Sequence, residues 1–226
     1  MRKWGIIISL VYVVIVVVIL FPLVFGPLAA GGWPYAGGFV TGLAKFYQGA
    51  WFVAIPIAIL LPSQMILLFL SVDTSFKKLR PRAHVAVTSA VAAGLFAMLA
   101  FLAIWSIDGA VRGDNFGNGY ADTVPKFLCF CVGLWLLWAI VFYLYAQNVA
   151  QPVTRAVSWL LKGSVLELLI AVPCHVIVRR RHDCSAPVVT SFGIVTGIAV
   201  MLLSFGPSVL LLYKKRLDEY TERKAD

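Results

Sequence analysis

The chain has 226 residues, of which 61% are hydrophobic and 13% charged, against about 25% charged in an ordinary soluble domain. So little polar surface cannot cover a core in water, which excludes a soluble globular protein, and so apolar a chain is not a disordered one. Net charge is +9, from 19 Lys and Arg against 10 Asp and Glu; in a membrane chain such an excess belongs to loops beside anionic lipid rather than to a nucleic-acid surface.

The pattern reads as one membrane domain over 1–226, an all-α polytopic transmembrane bundle of about six helices. The first span, 5–25, holds only Ser9 and Tyr12 as polar side chains and follows Arg2 and Lys3, which puts the N-terminus inside. Its apolar run exceeds the roughly 7 to 15 residues of a signal-peptide core, which favours a retained helix over cleavage near Leu28-Ala29-Ala30. Residues 26–49 contain seven Gly, a single charge at Lys45, and Trp33, Tyr35, Phe39, Phe46 and Tyr47. A segment so aromatic is expected on the membrane surface or across the mouth of the bundle, not as a free loop.

The second span, 50–72, carries Pro56, Pro62, Ser63 and Gln64, and the third covers 84–107. Lys77, Lys78, Arg80 and Arg82 between them give the strongest cytoplasmic signal in the chain. Residues 108–126 form a polar, Gly-rich outer loop, where Asp114, Asn115, Asn118 and Asp122 lack the spacing of a calcium loop. The fourth span, 127–146, is bulky and aromatic, and the last, 188–213, stops at Lys214, Lys215 and Arg216.

The fifth segment is ambiguous. Within 156–178, Lys162 and Glu167 precede an apolar stretch interrupted by Pro173 and ended by Arg179, Arg180 and Arg181. It either spans near 160–178 or lies in the interface, leaving five spans. With six spans, thirteen basic residues fall inside and six outside, whereas with five the division is eleven to eight. Charge bias therefore favours six spans with both termini in the cytoplasm of a bacterial-type inner membrane, at the cost of a triple Arg on the outer face.

Several features invite chemistry. Cys174, His175, His182 and Cys184 could ligate zinc or copper. The spacing fits no standard zinc pattern, and adjacent helical residues point about 100° apart, so a Cys174–Cys184 disulfide or buried thiols weigh more. Cys129 and Cys131 read as packing residues by the same geometry. Pro62 and Gln64 resemble the interrupted helix of a transporter, though Pro is common in membrane helices. Glu167 is the only acid within a span, which marks either a proton or cation site or a side chain snorkelling near the cytoplasmic end beside Lys162 and Arg155. Ala86, Ala90 and Gly94, flanked by Ser89, Ala93 and Ala97, and the pair Gly193 and Gly197, form small-residue faces for close helix packing.

No phosphate loop, HExxH, GxSxG or paired catalytic carboxylates occur, so an enzyme is not expected, nor a cofactor. Abundant packing motifs beside scarce intramembrane charge point first to a non-catalytic accessory or assembly role. The partners would be the lipid bilayer and another membrane protein or a second copy, with no nucleic acid. The alternatives are a small solute or ion transporter or channel, built on Pro62, Gln64 and Glu167, and a metal-handling or thiol-redox membrane protein built on the Cys/His cluster.

Overall fold

In hydrocarbon, backbone amides have no water to bond, so each apolar segment must satisfy its own N–H and C=O groups, and this chain does so as helix. A computed structural model describes residues 2–29, 38–49, 53–72, 81–113, 120–146, 152–182 and 186–222. Among these residues there are eight α-helices and one π-helical segment, and no strand. The protein is an all-α membrane-spanning bundle. Five stretches are long and apolar enough to cross a bilayer: Gly5–Phe25, Val85–Arg112, Cys129–Ala146, Pro152–Arg180 and Ala186–Phe205.

The first rod combines α1 (Arg2–Val13), the π-helical Val14–Leu20 and α2 (Phe21–Ala29). Six of the seven residues in the π segment are Val or Ile, whose branched Cβ atoms crowd an α-helical turn. The wider turn is seen where the Phe21 N–H donates to the Val16 carbonyl, five residues back. Helix α3 (Phe39–Gly49) starts at Gly38, whose φ of +106° a glycine adopts at no steric cost, and whose carbonyl accepts from the Gly42 N–H at 2.9 Å and the Thr41 hydroxyl at 3.1 Å. The segment expected to lie over the bundle mouth thus contains a packed helix. Phe46 is buried, and the Tyr47 hydroxyl donates to the Val17 carbonyl at 2.6 Å. Trp33 and Tyr35 lie outside the described residues.

Helix α4 (Ala54–Val72) runs through Pro62 without a break, as a membrane helix that tolerates Pro rather than as the interrupted helix weighed against it. Its described apolar stretch, Ala54–Leu68, is shorter than the five full-length spans. Helices α5 (Pro81–Arg112), α7 (Pro152–Arg180) and α8 (Ala186–Glu222) all pack on one another, most extensively α7 on α8 and on α5. Helix α6 (Tyr120–Ala146) lies outside them, chiefly against α5. The ambiguous fifth segment is a 29-residue helix starting at Pro152, where a missing N–H is harmless, and it belongs to the central trio rather than to the interface.

Candidate functional site

The sequence reading set Glu167 about one turn from the cytoplasmic end of its helix, where snorkelling would explain it. The observed start at Pro152 moves it to the middle of α7, about 20 Å from either end at 1.5 Å per residue. It is 2% exposed. Both carboxyl oxygens are buried without a hydrogen-bond partner among the described residues. The basic side chains named as snorkelling partners do not reach it: Lys162 is exposed, and the Arg155 guanidinium donates to the Tyr145 hydroxyl at 2.6 Å and sits 4.5 Å from the centroid of that ring.

Glycines on α8 make room for the acid. A Cβ at Gly197 would overlap Glu167 Oε2, and one at Gly193 would stand 2.8 Å from both Glu167 Oε1 and Ser106 Oγ on α5. Glu167 Oε1 and Ser106 Oγ therefore converge on one point, with Ala171 Cβ 3.1 Å from it. Ser106 is fully buried, and its hydroxyl also has no partner among the described residues. The same holds for the Thr196 hydroxyl of α8. The predicted Gly193/Gly197 face is thus a helix-packing face whose knob is a carboxylate, and sequence reasoning missed Ser106, a serine among many with no signal to single it out.

The other small-residue face is partly different from its expectation. Ala86 is exposed, and Ala90 and Gly94 admit an indole: Trp135 Nε1 donates to the Ala90 carbonyl at 3.0 Å, and a Cβ at Gly94 would lie 3.5 Å from it. The flanking Ser89, Ala93 and Ala97 carry the burial. A tighter approach went unread at Gly163, where a Cβ would stand 2.7 Å from Phe96 Cε2 of α5.

Cys174 and His175 diverge as helical neighbours should. Cys174 packs on Ala110, Val178 and Ala186, while His175 Nδ1 is 2.8 Å from Thr190 Oγ1 of α8. His182 is exposed in the turn after α7 at φ 58°; Cys174 is a free thiol, so the disulfide weighed for it is not formed, and Cys184 lies outside the described residues. Among the described residues no three metal-ligating side chains come together. Pro62 is exposed, whereas Gln64 is 1% exposed with its Oε1 unpartnered among the described residues. Asp114, Asn115 and Asn118 lie outside the described residues.

An unpaired ionised carboxylate at this depth costs several kcal/mol, a cost that a bound proton or cation removes. Among the described residues, the side-chain oxygens seen to converge beside Gly193 are those of Glu167 and Ser106, whereas a hard cation such as calcium gathers six to eight. A proton needs only one. Comparison with protein-family models, curated proteins and solved structures finds no match to this chain.

Proposed function

We propose that the protein is a small ion transporter or channel whose working group is Glu167, a carboxyl that takes up and releases a proton within the bundle. The observation that carries this reading is the burial of both Glu167 oxygens, without a partner among the described residues, against Gly193, Gly197 and Ser106. Intramembrane acids are rare, and those that persist mark ion pathways and proton relays. Purified protein in proteoliposomes with an internal pH dye is the test. Proton uptake under an imposed membrane potential should be present in the wild type and lost in Glu167→Gln. No uptake by the wild type, or equal uptake by the variant, overturns the reading.

The same proposal takes the chain as multi-pass in a bacterial-type cytoplasmic membrane with both termini inside, supported by the clustering of Lys77, Lys78, Arg80 and Arg82 in sequence between two apolar segments. A Cys at Arg180, in a background without native Cys, should react with an impermeant thiol reagent from outside, while a C-terminal tag is reached only from the cytoplasm. Arg180 is exposed, which makes it a fair reporter.

One observation favours the accessory role as a second reading. Helix α6 buries 6% of its spanning window and turns Leu136, Ile140 and Leu144 outward, an apolar face that another membrane helix could cover. A stable heteromeric complex in mild detergent, lost on replacing Ile140 and Leu144 by Trp, would support it.

A further inference from the structure

We propose that the cleft where α6 ends and α7 begins holds the phosphate of a phospholipid with a net negative headgroup, whose acyl chain lies along α7. The site is separate from Glu167 and independent of its proton chemistry.

Helices α5, α6 and α7 leave an open cleft with about 300 Å³ of empty space, whose lining includes Ser89, Phe142, Tyr145, Arg155 and Trp159. Its inner part is narrow: about 20 Å³ admits the centre of a water-sized group, room for one such atom. One phosphoryl oxygen fits there, with the rest of the phosphate at the mouth. Ser89, on α5, is 3% exposed, and its hydroxyl has no partner among the described residues, whereas a polar group so buried is ordinarily hydrogen-bonded.

Everything polar at the mouth is cationic or a donor. Arg155 gives one of its five N–H groups to the Tyr145 hydroxyl, at 2.6 Å, and Tyr145, accepting there, keeps its own hydrogen to donate. The cleft lies at the first turn of α7, where the positive end of the helix dipole favours an anion. No Asp or Glu lines it. It therefore suits a phosphate and offers nothing to the ammonium of a zwitterionic headgroup.

The surface beside the cleft selects a lipid over free phosphate. At 100° per residue, Arg155, Lys162, Leu166 and Leu169 fall within about 60° of one another around α7. Lys162, Val165, Leu166 and Leu169 line a shallow groove with about 630 Å³ of empty space, and its three apolar side chains are exposed. Arg155 is three residues from the start of a spanning helix, at headgroup level. Leu166 lies about 16 Å deeper, the reach of an acyl chain through half of a hydrocarbon core about 30 Å thick. Tyr145 and Trp159 meet edge to face at 6.2 Å beside Arg155, both exposed, as rings at a membrane interface are. Lys162 adds a second positive charge on the same side, which favours a headgroup with net negative charge.

Thermal melting of the full chain in a mild uncharged detergent tests the site. The probes are dioleoyl phosphatidylglycerol, its zwitterionic counterpart dioleoyl phosphatidylcholine, and inorganic phosphate. Melting temperature should rise saturably with phosphatidylglycerol, less with phosphatidylcholine, and not with inorganic phosphate. In Arg155→Gln the phosphatidylglycerol concentration at half-effect should increase about tenfold or more, the loss of one charge-assisted hydrogen bond. Lys162→Gln and Ser89→Ala should increase it by a smaller factor, and Arg180→Gln, at the far end of α7, should leave it unchanged. No saturable rise, equal action of the two lipids, or an Arg155→Gln response equal to that of the wild type overturns the proposal. So does an equal loss in Arg180→Gln, which would make the effect one of overall charge. Stabilisation by inorganic phosphate to the same extent assigns the cleft to a free anion and overturns the lipid. Where Arg155→Gln does not fold, an unchanged response in Lys162→Gln is the overturning result.

Discussion

Two of the spanning stretches have almost the same mean hydropathy, 2.1 for Cys129–Ala146 in α6 and 2.2 for Ala186–Phe205 in α8, yet 6% of one window is buried and 61% of the other. Size and polarity of side chains separate them. Helix α6 is dominated by Trp, Leu, Phe and Tyr, which suit lipid as well as protein, and has three Gly, Ala, Ser or Thr in its window, whereas α8 has eight, which let backbones approach. Without a hydrophobic drive between helices, close packing and internal hydrogen bonds decide which helix goes inside. Greasiness sends a helix into the membrane; smallness sends it into the bundle.

Glycine substitutions press this contrast hardest. Gly197→Leu and Gly193→Leu should cost about 1 to 3 kcal/mol by overpacking, read as loss of thermal stability in detergent. Gly133→Leu on α6, where nothing lies within 4 Å of the missing Cβ, should be silent. Equal effects at the two sites would break the comparison. Glu167→Met should go the other way: removing a buried polar group without a partner among the described residues is expected to raise stability by about 1 kcal/mol or more while abolishing proton uptake. A destabilised Glu167→Met would mean that the carboxyl holds the bundle together.

Smaller effects sharpen the picture. Tyr12→Phe deletes the hydroxyl that donates to the Ala199 carbonyl at 3.1 Å and ties the first rod to α8. In a membrane such a bond averages about 0.6 kcal/mol, so a modest drop in melting temperature is expected. Leu136→Ile, on the outward face of α6, should stay within about 0.5 kcal/mol of wild type.

Hydropathy alone located the first, third, fourth and last spans, because a run of apolar residues in hydrocarbon has one backbone solution. It failed where charge is tolerated for different reasons on one helix. Lys162 and Glu167 shortened the fifth span on paper, although one faces outward and the other inward. A window average cannot separate them; the helical phase against Gly193 and Gly197 can. That pair was readable as a packing motif, but its knob was not, since a GxxxG face says that something approaches closely and not what. Pro62 carried the resemblance to an interrupted helix but not its structure: a helix continues through Pro when neighbours absorb the lost bond. Ser106 and Thr190 matter only through what the tertiary fold sets beside them, and no local pattern announces that.

The π-helical Val14–Leu20 makes the first rod a matter of phase. A wide turn takes up one residue more than an α-helix would, so deleting one residue within Val14–Leu20 should regularise the backbone and leave the faces on either side in phase. Tyr12 would keep its bond to Ala199, and Phe21 and Phe25 their places in the core. The same deletion elsewhere in the rod, where no wide turn absorbs it, should rotate everything before it by about 100° and uncouple the two halves.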